Sequence, residues 1–72
     1  MKSAKEIGRD LLALRGETPR EDVAKAVGVS YSAMQMYECG ERVPRDETKV
    51  ALANYYHTTV GSLFFAEEVH ET

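Results

Sequence analysis

The chain contains a single cysteine, Cys39. That excludes an internal disulfide framework and a cysteine-rich zinc site. His57 and His70 have no cysteine or carboxylate partners at metal-ligand spacing, so no metal is expected. No apolar run approaches the ~20 residues of a membrane span, and the residues after Met1 are not expected to act as a signal peptide. A cytoplasmic protein without a membrane partner is expected. There is no glycine-rich phosphate loop and no Ser-His-Asp logic. At 72 residues, the chain is short for a catalytic pocket of the usual kind. Enzymatic activity and a cofactor are therefore not expected. Repeats, linkers and low-complexity segments are also missing, which leaves one small domain. A domain of this size buries only ~60% of its unfolded surface, so its core must be compact.

An excess of positive charge is lacking too. Nine basic residues face twelve acidic ones, for a net charge of −3. Three of the acids, Glu67, Glu68 and Glu71, fall in the last six residues, which contain no base. Residues 1–66 are therefore neutral, and 67–72 read as an acidic tail on that domain. Local patches rather than net charge decide nucleic-acid binding, so the balance does not forbid it. It does predict weak non-specific affinity, which comes almost wholly from Lys and Arg at phosphates.

What is present is a succession of helix signals. Ser3 and Glu6 form a capping box for a helix over residues 4 to 15, with Ala4, Ile7, Leu11 and Leu14 on one face. Gly16 ends it. Thr18-Pro19-Arg20-Glu21 predicts the start of a second helix, with Thr18 as cap, Pro19 at the first helical position and Glu21 closing the box. Gly28 ends that helix. Ser30 caps a third, running to about residue 38, and Gly40 stops it. Pro44 anchors a loop over 41–45. A fourth helix is predicted from Asp46 to about Tyr56, with Val50, Leu52, Ala53 and Tyr56 facing inward. His57 then stands where a left-handed residue is needed, and His is among the non-glycine types enriched there. Thr59 caps a short last helix, in which Leu63 and Phe64 close the core.

Residues 20 to 40, REDVAKAVGVSYSAMQMYECG, have the layout of a helix-turn-helix. Ala24 supplies the small residue where the two helices cross. Four positions later, Gly28 tolerates the positive φ of the turn. Val23, Val27, Met34 and Tyr37 face inward at helical spacing. In this motif the second helix enters the DNA major groove.

With LLALRG at 11–16, REDVA at 20–24, GVS at 28–30, SAMQMYECGERVPRDETK at 32–49 and LANYY at 52–56, the chain resembles the Cro/cI-type (XRE) helix-turn-helix transcription regulators. The resemblance runs from residue 4 to about 65. Its most characteristic part is the Tyr-Glu-x-Gly-x-Arg-x-Pro stretch after the third helix. The shortened link LRGETPRE points to a subgroup of small regulators in Gram-positive bacteria and their prophages. The resemblance implies an all-α, five-helix, lambda-repressor-like DNA-binding domain over residues 1–66, with the motif on helices two and three. It also implies residue roles. Arg20 opens helix two at a phosphate-contacting position. Ser30, Tyr31 and Ser32 face base edges, with Gln35 and Met36 further along the same face. Arg42 and Arg45 are the bases of a phosphate-contacting loop. Glu38 is structural, tied to a helix-one base or to nearby backbone. Ala24, Gly28, Met34, Tyr37 and Gly40 shape the motif.

The outward residues of helix three are then Tyr31, Ser32, Gln35, Met36 and Cys39. Gln35 can pair with adenine N6 and N7, Ser32 can donate or accept, and Met36 offers apolar contact to thymine methyls. Tyr31 can reach a phosphate or pack on a methyl. No Arg or Lys lies on the face, so the commonest guanine contact is missing and an A/T-leaning half-site is expected. With one bidentate candidate per monomer, specificity requires a homodimer or help from DNA shape. Adjacent Phe64 and Phe65 cannot both enter one small core, which marks Phe65 as the dimer candidate. The leading function is a sequence-specific regulator of transcription, a repressor, on a double-stranded operator. The alternatives on the same fold are a protein-interaction module of antirepressor type, with a protein partner, or an antitoxin.

Overall fold

A computed structural model describes residues 1–65. It is all-helical: α1 spans Ala4–Arg15, α2 Arg20–Val27, α3 Tyr31–Cys39, α4 Asp46–Tyr55 and α5 Val60–Phe64. No strand occurs among the described residues, and none of their helices is long and apolar enough to cross a membrane. The acidic segment 67–72 lies outside the described residues.

Local chemistry accounts for most of the helix boundaries. Ser3 Oγ accepts from the Glu6 N–H at 3.1 Å, and the Ser3 N–H in turn donates to Glu6 Oε1, completing a capping box. Ser30 and Thr59 cap α3 and α5 by accepting from the Ala33 and Ser62 amides. Gly28 and Gly40 end α2 and α3 in the left-handed conformation, at φ 78° and 76°. His57 adopts φ 56° after α4, and is the non-glycine residue in that region among those described.

The start of α2 departs from the sequence expectation. Pro19, not Thr18, occupies the cap position, and no side chain caps the helix. The Thr18 amide is spent on the Arg15 carbonyl at 3.0 Å, and its own carbonyl accepts from Arg15 Nη1 at 2.9 Å. The helix register thus begins one residue later than the Thr-Pro-x-Glu pattern implies. The Thr18 hydroxyl and the Glu21 carboxylate are both displaced from the positions a capping box needs.

The core is formed by Ile7, Leu11, Val23, Ala24, Met34, Tyr37, Leu52, Leu63 and Phe64. Fully burying one such large side chain is worth about 1.5–3 kcal/mol. α3 packs against both α1 and α2; α2 also packs on α4, and α5 bridges α4 and α1. The Lys2 amide donates to the Phe64 carbonyl at 2.8 Å and ties the chain start to α5.

Two inward assignments are corrected. Leu14 is 43% exposed and Val50 is 50% exposed. On α1, the buried position is instead Gly8, over which α3 crosses. On α4, Lys49 takes the buried place, its ammonium lying 5.9 Å from the Phe64 ring centroid and 5.2 Å from that of Phe65. Its hydrocarbon stem packs as an apolar residue would, so the apolar period of α4 is carried by a residue counted as charged.

Candidate nucleic-acid interface

α3 is held on its inner side by Met34 and Tyr37, both in the core, and by Glu38, which is 3% exposed. A carboxylate so placed needs charged partners. Arg15 from α1 donates Nε to Glu38 Oε2 at 2.7 Å, and Arg20 from α2 donates Nε to Oε1 at 2.6 Å. One acid thereby joins three helices. The hydrogen bond to Glu38 holds the Arg20 guanidinium above its ordinary pKa, against a smaller opposing effect of desolvation. Arg20 continues outward: Nη1 donates to Tyr31 Oη at 3.2 Å, and the guanidinium carbon lies 5.5 Å from the Tyr31 ring centroid.

Close by, the buried Tyr56 hydroxyl has no hydrogen-bond partner among the described residues. Burial, with the Glu38 charge adding to it, pushes its phenol up to about 12.

The outer side of α3 presents Tyr31, Ser32, Gln35 and Cys39, all exposed. Met36 is half-buried, so this face is narrower than the spacing alone suggests. Ser30 is exposed at the helix start, with its hydroxyl engaged as the cap. After α3, the Glu41 and Arg42 amides both turn back onto the Met36 carbonyl, at 2.9 and 3.4 Å, fixing the start of the following loop. Arg42 and Arg45 are exposed on that loop, and neither joins an ion pair among the described residues. Arg20, grouped with them by sequence, stands apart from them: it is half-buried and committed to Glu38. Phe65 is 40% exposed beside fully buried Phe64.

Sequence reasoning missed the path from Glu38 through Arg20 to Tyr31. The signal was present as a basic residue opening α2 and an aromatic opening α3, but nothing in either segment alone reveals that they meet. Also missed was Lys5, whose ammonium lies 3.5 Å from the Cys39 carbonyl at the far end of α3.

No protein-family model matches the chain, and no curated protein matches it. Among solved structures, it is similar to the SOS-response transcriptional repressor LexA from Eubacterium rectale, determined in solution. The TM-score is 0.81 at 22% identity, over 100% of this chain and 79% of that one. At this identity the likeness is one of fold: an all-α, five-helix, helix-turn-helix domain.

Proposed function

We propose that the chain is a sequence-specific double-stranded-DNA-binding regulator of transcription, a repressor acting as a homodimer in the cytoplasm, which inserts α3 into the major groove. The observation that carries this reading is the mounting of α3. Its inner side is locked by core packing and by the Arg15–Glu38–Arg20 cluster, while Tyr31, Ser32 and Gln35 stand exposed along its outer side. Rigid presentation of a few side chains able to hydrogen-bond is what base readout demands. Arg42 and Arg45, free of ion pairs among the described residues, supply phosphate contacts beside it. The solved neighbour is itself named a transcriptional repressor, which supports the same use of the fold here.

In this reading Gln35 pairs with adenine, Ser32 hydrogen-bonds a neighbouring base, and the edge of Met36 touches a thymine methyl. The half-site leans to A/T. Two half-sites lie ~34 Å apart on one face of the duplex. Phe65 contributes to the dimer contact. The chain is a Cro/cI-type regulator of the small Gram-positive and prophage group, and its action involves neither a cofactor nor catalysis.

Exposed Leu12 and Leu14 on α1, each 43% accessible, favour a second reading as a module that binds another protein. Salt separates the two. DNA affinity falls steeply as salt rises, because counterions are released on binding, whereas an apolar protein contact does not depend on salt in that way. Selection of the purified protein against a randomised duplex pool at two salt concentrations tests the proposal. A near-palindromic, A/T-leaning motif whose recovery falls with salt supports it; no enrichment at either salt refutes it.

A further inference from the structure

Arg20 occupies the position from which a base at the start of α2 would reach a DNA phosphate, yet its geometry turns it elsewhere. Its Nε is bound to a carboxylate whose side chain is 0% exposed. A guanidinium is planar, so fixing Nε against Glu38 fixes the direction of both terminal nitrogens. One of these, Nη1, meets Tyr31 Oη at 3.2 Å. The ring of Tyr31 stands 5.5 Å from the cation, within the range of cation–π attraction. Arginine can only donate, so Tyr31 Oη is the acceptor. The hydroxyl hydrogen of Tyr31 must therefore find its own acceptor elsewhere. Tyr31 is 51% exposed as the first residue of α3, which leaves it open to an acceptor outside the protein.

We propose that Arg20 is a positioning residue for Tyr31: it holds the phenol so that the Tyr31 hydroxyl donates to a phosphate oxygen of the DNA backbone, and does not itself reach a phosphate. The inference rests on the DNA-binding reading above and deepens it. Three features support a phosphate as the acceptor. A cation donating to the oxygen from behind polarises the O–H and makes it a better donor. The positive charge behind it suits an anionic acceptor over a neutral base edge. Arg20, itself fixed by Glu38, touches Tyr31 at two points, the hydroxyl and the ring, and this hold removes the rotamer freedom that an exposed tyrosine would otherwise lose on binding.

The test is a double-mutant cycle on the full chain, with binding followed by fluorescence anisotropy on the selected duplex and on a scrambled duplex at low salt. Tyr31→Phe should lose roughly tenfold in affinity, as expected for a charge-assisted hydrogen bond. The loss should be equal on both duplexes, with a melting temperature unchanged from wild type. Arg20→Lys keeps the charge but cannot hold Glu38 and Tyr31 together. It should lose a similar factor, and the double variant should lose no more than the weaker-binding single. Losses that multiply would show that Arg20 and Tyr31 act separately and would overturn the proposal. A Tyr31→Phe loss confined to the selected duplex would mean a base contact and overturn the phosphate assignment. A second readout needs no Arg20 variant. The Arg20 Nε–H resonance should stay in place when DNA is added, and a shift reporting release from Glu38 would overturn the positioning role. If the wild type bound neither duplex, the DNA reading itself would fail, an outcome distinct from multiplicative losses.

Discussion

Gly8 of α1 lies directly against the backbone of Glu38 in α3: a Cβ built on Gly8 would stand 2.5 Å from the Glu38 carbonyl oxygen and 2.8 Å from that of Tyr37. Both atoms are backbone, so neither can swing aside. Two effects compete in Gly8→Ala. Alanine in a helix interior is favoured over glycine by about 1 kcal/mol. Against that, α1 must move away from α3, and overpacking of this kind costs about 1–3 kcal/mol. The clash should win, with a net loss of about 1 kcal/mol in urea unfolding. A stabilised Gly8→Ala protein would mean that α1 and α3 are not in this contact.

Glu38 is the second support of that crossing. Removing one partner of a buried ion pair costs about 3–5 kcal/mol, because the remaining charge is left uncompensated. Here the side chains of Arg15 and Arg20 are 16% and 21% exposed and can partly rehydrate. Glu38→Ala should therefore cost about 3 kcal/mol, near the lower end of that range. For a domain of this size, that is a large share of the total stability. A denaturation midpoint close to wild type would show that the cluster does not anchor α3.

The helix count and most boundaries were legible because they depend on local chemistry. Ser3, Ser30 and Thr59 announce their caps, Gly28 and Gly40 their left-handed ends, and His57 its turn. What was not legible depends on contacts between distant segments. Lys49 reads as solvent-facing until α5 is seen to lay Phe64 and Phe65 beside it. Leu14 and Val50 continue an apolar period but are left exposed by the packing of the other helices. Thr18 has the right spacing for a cap, but the tight turn from Arg15 takes its amide and shifts the register. In the candidate interface, the outward placement of Tyr31, Ser32 and Gln35 follows from helical period. The commitment of Arg20 to Glu38 does not, since it joins residues eighteen apart in the chain.

The unpartnered Tyr56 hydroxyl gives a pH-dependent prediction. Its phenol is raised from 10.0 to about 12 in the folded chain, chiefly by burial. The folded state therefore favours the neutral form. The linked stability is fully present below pH 10 and is lost as pH rises towards about 12. Lysines also lose their charge in that range, so the comparison must be with Tyr56→Phe, which keeps the ring and removes the ionisable group. The variant should be as stable as wild type at neutral pH, or up to about 1 kcal/mol more stable, because a buried hydroxyl without a partner carries a desolvation cost. Its alkaline loss of stability should be shallower. Parallel stability–pH curves for the two proteins would contradict the burial of this hydroxyl.

Gln35 and Arg42 separate base readout from backbone contact. Gln35 is exposed on the outer side of α3, and Arg42 is exposed on the loop that follows it. If α3 lies in the major groove, Gln35→Ala removes a bidentate adenine contact. It should cost about 1–3 kcal/mol on the selected duplex and relax the preference at one base position. The salt dependence should stay unchanged, since an amide displaces no counterion. Arg42→Ala should instead weaken binding to every duplex alike and lower the salt slope by about 0.9, the share of one phosphate. The two phenotypes differ in kind, so a general loss of folding cannot imitate the pair. Were they reversed, with Arg42 setting base preference and Gln35 the salt slope, the loop after α3 would be the element in the groove, and α3 would lie along the backbone.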